Sequence, residues 1–205
     1  MAEPDAQCPP PDFMISPVYF SRLKETIHTT NKDNWYAHYQ LGIFYLRNKH
    51  YEKARKAFET SNRAKENAWA YHGLAALYTL TKDAKKAVPE MVRGILLQLE
   101  NLSYLKEGFR ILATNRGYEE LIQLYGECSE NLRADGRLCL YYIQALYETG
   151  HVQEAYELLN AGGGICVDDI REGDGSSSDL WEKMHNKLYG TKGEVPYQLD
   201  FIAAK

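Results

Sequence analysis

The chain has 205 residues, 44% of them hydrophobic and 25% charged, a balance that supports a buried core and excludes a disordered polymer. Its 24 basic residues against 28 acidic ones leave a net charge of −4, with a pI near 5.9, and no sign of the basic footprint of a nucleic-acid binder. No apolar run approaches the roughly 20 residues of a membrane span, and MAEPDAQCPPPDF lacks the charged stretch and apolar run of a secretory signal. The expectation is a cytoplasmic protein with neither nucleic acid nor membrane as partner.

Residues 1–15 are proline-rich and without helical period, which predicts a flexible leading tail carrying an exposed Cys8. A leading helix is predicted within 16–30: Ser16 is its N-cap, Pro17 opens its first turn, and Phe20, Leu23 and Ile27 share one face. Helix-sized segments then come in pairs. These are Asn34 to Arg47 with Tyr51 to Arg63, Asn67 to Leu80 with Asp83 to Leu97, Leu102 to Thr114 with Tyr118 to Asn131, and Gly136 to Tyr147 with Val152 to Leu159. The links within pairs, NKH, TKD, NRG and ETGH, are so short that consecutive helices must be antiparallel neighbours.

The pattern stops at Ala161. AGGGICVDDIREGDGSSSDL reads as a long loop, so residues 166–205 are set apart from the helical region at 16–165. Asp179 with Glu182 predicts a capping box for a helix from Leu180 to Leu188, ended by Gly190, with Trp181, Met184 and Leu188 on the face that seals the stack. The final stretch, GEVPYQLDFIAAK, reads as extended, with Val195, Tyr197, Leu199 and Phe201 in alternation. Two placements are open to it: folded back over the helices, or paired with a neighbouring chain.

Laid over one another from Trp35, Ala68, Leu102 and Gly136, the pairs repeat at spacings of 33, 34 and 34 residues, giving repeats near 35–67, 68–101, 102–135 and 136–165. The eighth position holds Gly42, Ala75, Phe109 and Ile143; the twentieth holds Ala54, Ala87, Leu121 and Ala155. The twenty-seventh holds Ser61, Gly94, Cys128 and Gly162, all small. Helices that cross closely need a small residue where their backbones meet and large apolar ones around it. One hairpin cannot bury its apolar face alone, so the copies are expected to stack into an all-α solenoid of local contacts.

Leu41, Gly42, Tyr45, Ala54 and Phe58, repeated by Leu74, Ala75, Tyr78 and Ala87, make the chain resemble the tetratricopeptide family over roughly residues 35–165. Phe109 and Ile143 depart from that signature, as does the missing proline at each repeat end. The resemblance implies an α–α superhelix of about four hairpins with a leading helix, a capping helix and a tail. It further implies a non-catalytic scaffold that holds a peptide or protein on its concave face. Carried onto this chain, the family's ligand-facing positions are Tyr36, Tyr39, Ile43 and Arg47, then Trp69, His72, Ala76 and Thr79, then Lys106 and Arg110, and last Arg137, Gln144 and Tyr147. The family's carboxylate clamp is not reproduced, because Arg110 and Tyr141 stand where asparagines belong. Self-association through the apolar ends of the stack is a further expectation.

The tail, DDIREGDGSSSDLW and later VPYQLDF, resembles the C-terminal end of large bacterial repeat proteins with an upstream sugar-enzyme-like domain. That likeness implies the alternative role of an accessory module in a carbohydrate-processing protein. A groove filled by Val195 to Phe201 would favour the accessory role, and an empty aromatic groove a partner.

The search for chemistry returns little. Gly162 to Gly164 lack the Lys-Ser/Thr of a phosphate loop, and the acidic run at Asp168, Asp169, Glu172, Asp174 and Asp179 fails the calcium-loop spacing. The histidines at 28, 38, 50, 72, 151 and 185 form no zinc motif; His38 is expected as a satisfied core group. Cys8, Cys128, Cys139 and Cys166 show no C-x-x-C and read as free thiols. No nucleophile motif is present, so the expectation is no enzyme, no cofactor and no metal.

Overall fold

The computed structural model describes residues 2–11, 13–30, 32–161, 165, 167 and 176–200. Every regular element among them is helical. The chain divides into two compact units, Met1–Arg116 and Gly117–Lys205.

In the first unit, α1 (Pro17–Glu25) runs on into a π-helical turn at Thr26–Thr30. It is followed by α2 (Trp35–Arg47), α3 (Tyr51–Ala64), α4 (Ala68–Leu80), α5 (Ala84–Leu96) and α6 (Leu102–Thr114). Ser16 caps α1 as expected, its Oγ accepting from the Val18 amide at 3.3 Å. Phe20 of α1 stacks on Phe44 of α2 at 4.1 Å, and Leu23 is buried against Ala37, Leu41 and Ala57. Each helix from α2 to α5 packs on the next, and α2 with α4 and α4 with α6 also touch, so first helices of successive hairpins lie side by side.

Two small residues fix the central contact of that row. The Phe58 ring of α3 lies so close to Gly42 of α2 and Gly73 of α4 that a Cβ at either glycine would overlap it. Large side chains interlock only where backbones are bare. Gly42 belongs to the sequence pattern; Gly73 does not.

The repeat also appears in details of the backbone. Asn34, Asn67, Asn101 and Asp135 each cap a helix, accepting amides of Ala37 (2.7 Å), Ala70 (2.8 Å), Tyr104 (3.1 Å) and Leu138 (3.1 Å). Such caps contribute about 1 kcal/mol each by satisfying an otherwise unpaired donor. Left-handed residues follow in the same order at Lys49, Lys82, Arg116 and Gly150, at spacings of 33, 34 and 34. Each closes the tight turn after a first helix, as in His50 N to Tyr45 O and Asp83 N to Tyr78 O.

The second unit holds α7 (Tyr118–Glu127), α8 (Glu130–Arg133), α9 (Gly136–Glu148), α10 (Val152–Asn160) and α11 (Ser176–Tyr189). The single helix expected from Tyr118 to Asn131 is two. Cys128 adopts an extended backbone after Gly126, and Ser129 restarts the chain at a capping position. The Tyr125 hydroxyl donates to Arg133 O at 2.8 Å and joins the two pieces.

Helix α11 begins four residues before the expected Leu180, which places Asp179 inside the helix rather than at its cap. The reason is burial: Ser177 and Ser178 face the interior, and Ser177 Oγ donates to Leu199 O at 3.0 Å. Trp181 and Met184 join Leu140, Ile143, Leu146, Ala155 and Leu159 in one core, and Gly190 ends the helix with φ +69. The last stretch carries a 3-10 turn at Tyr197–Leu199 instead of the expected strand. Leu199 is buried in the same core while Tyr197 is 90% exposed. The readings of Gly162 to Gly164, of Cys166, of the acidic residues from Asp168 to Asp174 and of Phe201 lie outside the described residues.

Candidate functional site

The first helices of the first unit present a groove. Its floor is built by Tyr39 of α2, Trp69 and His72 of α4, and Tyr104 and Glu107 of α6. Asn101, which caps α6, stands at its edge. Tyr36 and Tyr39 lie one turn apart on α2 with rings 6.4 Å apart and nearly parallel, and Trp69 meets Tyr104 edge-on at 5.3 Å. Burial, and then the neighbouring Tyr36, push the Tyr39 phenol up; burial, and then Tyr39, push the Tyr104 phenol up as well. Both rings are neutral at physiological pH.

The groove is occupied by the chain's own leading segment. Trp69 Nε1 donates to Ala6 O at 3.1 Å, and Gln98 Nε2 donates to Gln7 O at 2.9 Å. Gln40 Oε1 accepts the Met14 amide at 2.8 Å. Asn101 Nδ2 donates to Gln98 Oε1 at 3.1 Å and orients that amide. Each of the three bonds to the segment reaches its main chain, which turns through Cys8 N to Asp5 O at 3.1 Å. Ala6 is 2% exposed and lies in the cluster of Trp35, Tyr36 and Tyr39. Beneath Pro9, Pro10 and Phe13 a cleft of about 270 Å³ remains above the aromatic floor.

Of the residues singled out from sequence, Tyr36, Tyr39, Trp69 and His72 come together here. Ile43 and Arg47 line a neighbouring apolar cleft of about 560 Å³ with Phe13, Ile15, Leu46 and Leu80. Lys106 is half-buried on α6 and Arg110 exposed. Arg110 is engaged two-pronged with Glu107 at 2.6 and 2.9 Å, so a carboxylate stands beside this ligand-facing position. The Arg110 guanidinium, and after it His72 at 3.7 Å, hold the Glu107 carboxyl below the usual carboxylate range. Arg137 and Gln144 are half-buried on α9 of the second unit.

Sequence reasoning missed Tyr104, Glu107, Gln40 and Gln98, and it missed the occupant. A signal for Tyr104 existed: it fills the third repeat position, where the first two copies carry Ala37 and Ala70. Neither expected occupancy holds, since the groove carries residues from before α1, while Val195 and Leu199 pack in the second unit's core.

His38 is half-buried with Nε2 2.9 Å from Lys32 O. Cys8 is exposed, Cys128 buried and Cys139 half-buried, all three as thiols. Among the described residues, no three His, Cys, Asp or Glu side chains are grouped to hold a metal ion, and no helix is long and apolar enough to cross a membrane. No family model matches the chain, and no curated protein does.

Proposed function

We propose that the chain is a tetratricopeptide-type repeat protein and a non-catalytic scaffold, binding a peptide segment of a partner in the groove of Tyr39, Trp69, His72 and Tyr104. One observation carries this reading: the groove holds a segment of chain through bonds from Trp69, Gln98 and Gln40 to its main chain. Groups that read backbone accept many sequences, as peptide-binding grooves do. Aromatic rings supply contact area at low entropy cost. The repeat reading is supported by caps and left-handed turns that recur with the period of the apolar pattern.

The test is selection of a displayed library of random twelve-residue peptides on the full chain, followed by titration of the winners. Trp69→Phe removes the indole donor with little loss of ring, and His72→Ala opens the floor. The expected result is binding weakened about tenfold or more by the pair, the loss of a hydrogen bond and a contact, with the melting temperature nearly unchanged. Selected peptides that bind both forms equally, or no selected peptide at all, would reject the groove.

A further inference from the structure

Resting on that reading, we propose that the groove's ligand is a proline-bearing segment, and that the chain's own residues 4–11 and 13–15 hold its place until a partner displaces them.

Three observations converge on this ligand. The first is which backbone groups the groove uses. It takes carbonyls at Ala6 and Gln7 and an amide at Met14, and leaves the run Pro9-Pro10-Pro11 between them without a demand for N–H donors. Proline has a carbonyl but no N–H, so it suits a span where nothing asks for a donor. Proline runs also keep an extended, left-handed form in solution, which lowers the ordering cost of binding.

The second is how shallowly the segment is seated. Ala6 is its one deeply buried side chain; Gln7, Cys8, Pro9 and Pro11 are exposed, and Phe13 is 61% exposed. A segment with one small buried anchor belongs to the least stable part of a fold and opens readily.

The third is the space left over. The cleft of about 270 Å³ between Pro9, Pro10 and the rings of Tyr39, Trp69 and Tyr104 is close to the lower bound of roughly 300 Å³ for a ligand pocket. Pro9 and Pro10 line this cleft without filling it. A partner with an aromatic or long aliphatic side chain at that point would fill it and outcompete the resident segment. Glu107, held ionised at the floor by Arg110, disfavours an acidic side chain there.

A tethered occupant competes at millimolar effective concentration. If it fills the groove nine-tenths of the time, a partner's apparent affinity drops about tenfold. The experiment uses the full chain and Ala6→Arg, which sets a long charged side chain into the seat of Ala6; Ala6→Asp serves as a second release variant. The probe is a fluorescent peptide of residues 2–15 carrying Cys8→Ser, titrated by anisotropy, with thermal unfolding to confirm that each variant folds.

The expected result is binding to the released variants about tenfold tighter than to the unaltered chain, lost again when Trp69→Phe and His72→Ala are added. Equal binding to released and unaltered chains, both sensitive to those groove changes, overturns the displacement and leaves the groove reading standing. No binding of this peptide where library-selected peptides still bind overturns the ligand class alone. No groove-dependent binding of any peptide overturns the underlying reading as well. A concentration-dependent dimer of the unaltered chain that is lost in Ala6→Arg would assign the segment to a second copy, and overturns the proposal.

Discussion

The Tyr104 hydroxyl occupies space that Gly94 leaves open: it donates to Ala68 O at 2.7 Å, and a Cβ on Gly94 would overlap it. The preceding hairpin solves the same problem differently. Ser61, at the repeat position of Gly94, donates its own Oγ to Trp35 O at 2.9 Å, the counterpart of Ala68 O. One repeat satisfies its first-turn carbonyl from its own second helix, and the next borrows a phenol from the helix that follows. The borrowed group is also the floor of the groove, so packing and candidate function share one side chain.

This exchange predicts a coupling. Gly94→Ser alone is expected to destabilise by about 1–3 kcal/mol through overpacking against the Tyr104 hydroxyl. With Tyr104→Ala the penalty for the same serine should shrink, because the pair then matches Ser61 with Ala70. A double-mutant cycle from urea unfolding measures it, with an interaction of about 0.5–3 kcal/mol expected. Additive effects would show that Gly94 and Tyr104 do not share that space.

Phe58 makes the second case. Alanine is favoured over glycine by about 1 kcal/mol within a helix, so on propensity Gly42→Ala and Gly73→Ala should stabilise. The ring lies across both positions, and each change is expected instead to cost about 1–3 kcal/mol. In a Phe58→Leu background the sign should reverse for at least one of them. Chemical denaturation of the three single and two double variants decides it.

How much of this was visible in the residues alone follows from the range of the forces involved. Helical periodicity and tight links are local signals, so helix pairs and the leading helix with its Ser16 cap could be read directly. Gly42 could be found by the repeat, whereas Gly73 could not, because it answers a ring from a neighbouring hairpin rather than a position in its own. The break at Cys128 was hidden because Leu121, Leu124 and Cys128 keep helical spacing across it. The groove's rings at Tyr39, Trp69 and His72 could be listed by position, and Tyr104 was missed because it stands where the first two copies carry alanine. The groove's amides, Gln40 and Gln98, could not be listed, since a buried glutamine has meaning only beside the backbone it bonds. The occupant lay furthest from view: a proline-rich stretch has no period, and its seat depends on partners 26 to 91 residues away.

The Glu107 carboxyl carries a pH prediction. Its pKa in the folded chain is depressed by Arg110 and then His72, so its contribution to stability is present above the unfolded value, about 4.3, and is lost as pH falls through the lower folded value. The side chain is 42% exposed, and solvent screening holds the contribution below about 1 kcal/mol. Glu107→Gln should therefore be slightly less stable than the unaltered chain at pH 7, and the gap should close as the pH drops below about 4. Urea midpoints at pH 7, 5 and 3.5 measure the gap; one that widens toward acid would contradict the sign.

Thiol chemistry separates the three described cysteines by their surroundings. Cys8 is exposed in the groove-bound segment, while Cys128 is buried and its Sγ lies 3.3 Å from Leu124 O. Cys139 is half-buried, and burial pushes its thiol up, against a smaller opposing effect from Tyr125. A raised pKa lowers the thiolate fraction at neutral pH, and the thiolate is the reacting form. Under native conditions a maleimide should therefore modify Cys8 first, with Cys139 far slower and Cys128 reacting only as the second unit unfolds. Peptide mass spectrometry over a time course resolves the order. Urea should accelerate Cys128 along the unfolding curve and leave the Cys8 rate almost unchanged, because Cys8 is accessible whether or not the segment is seated.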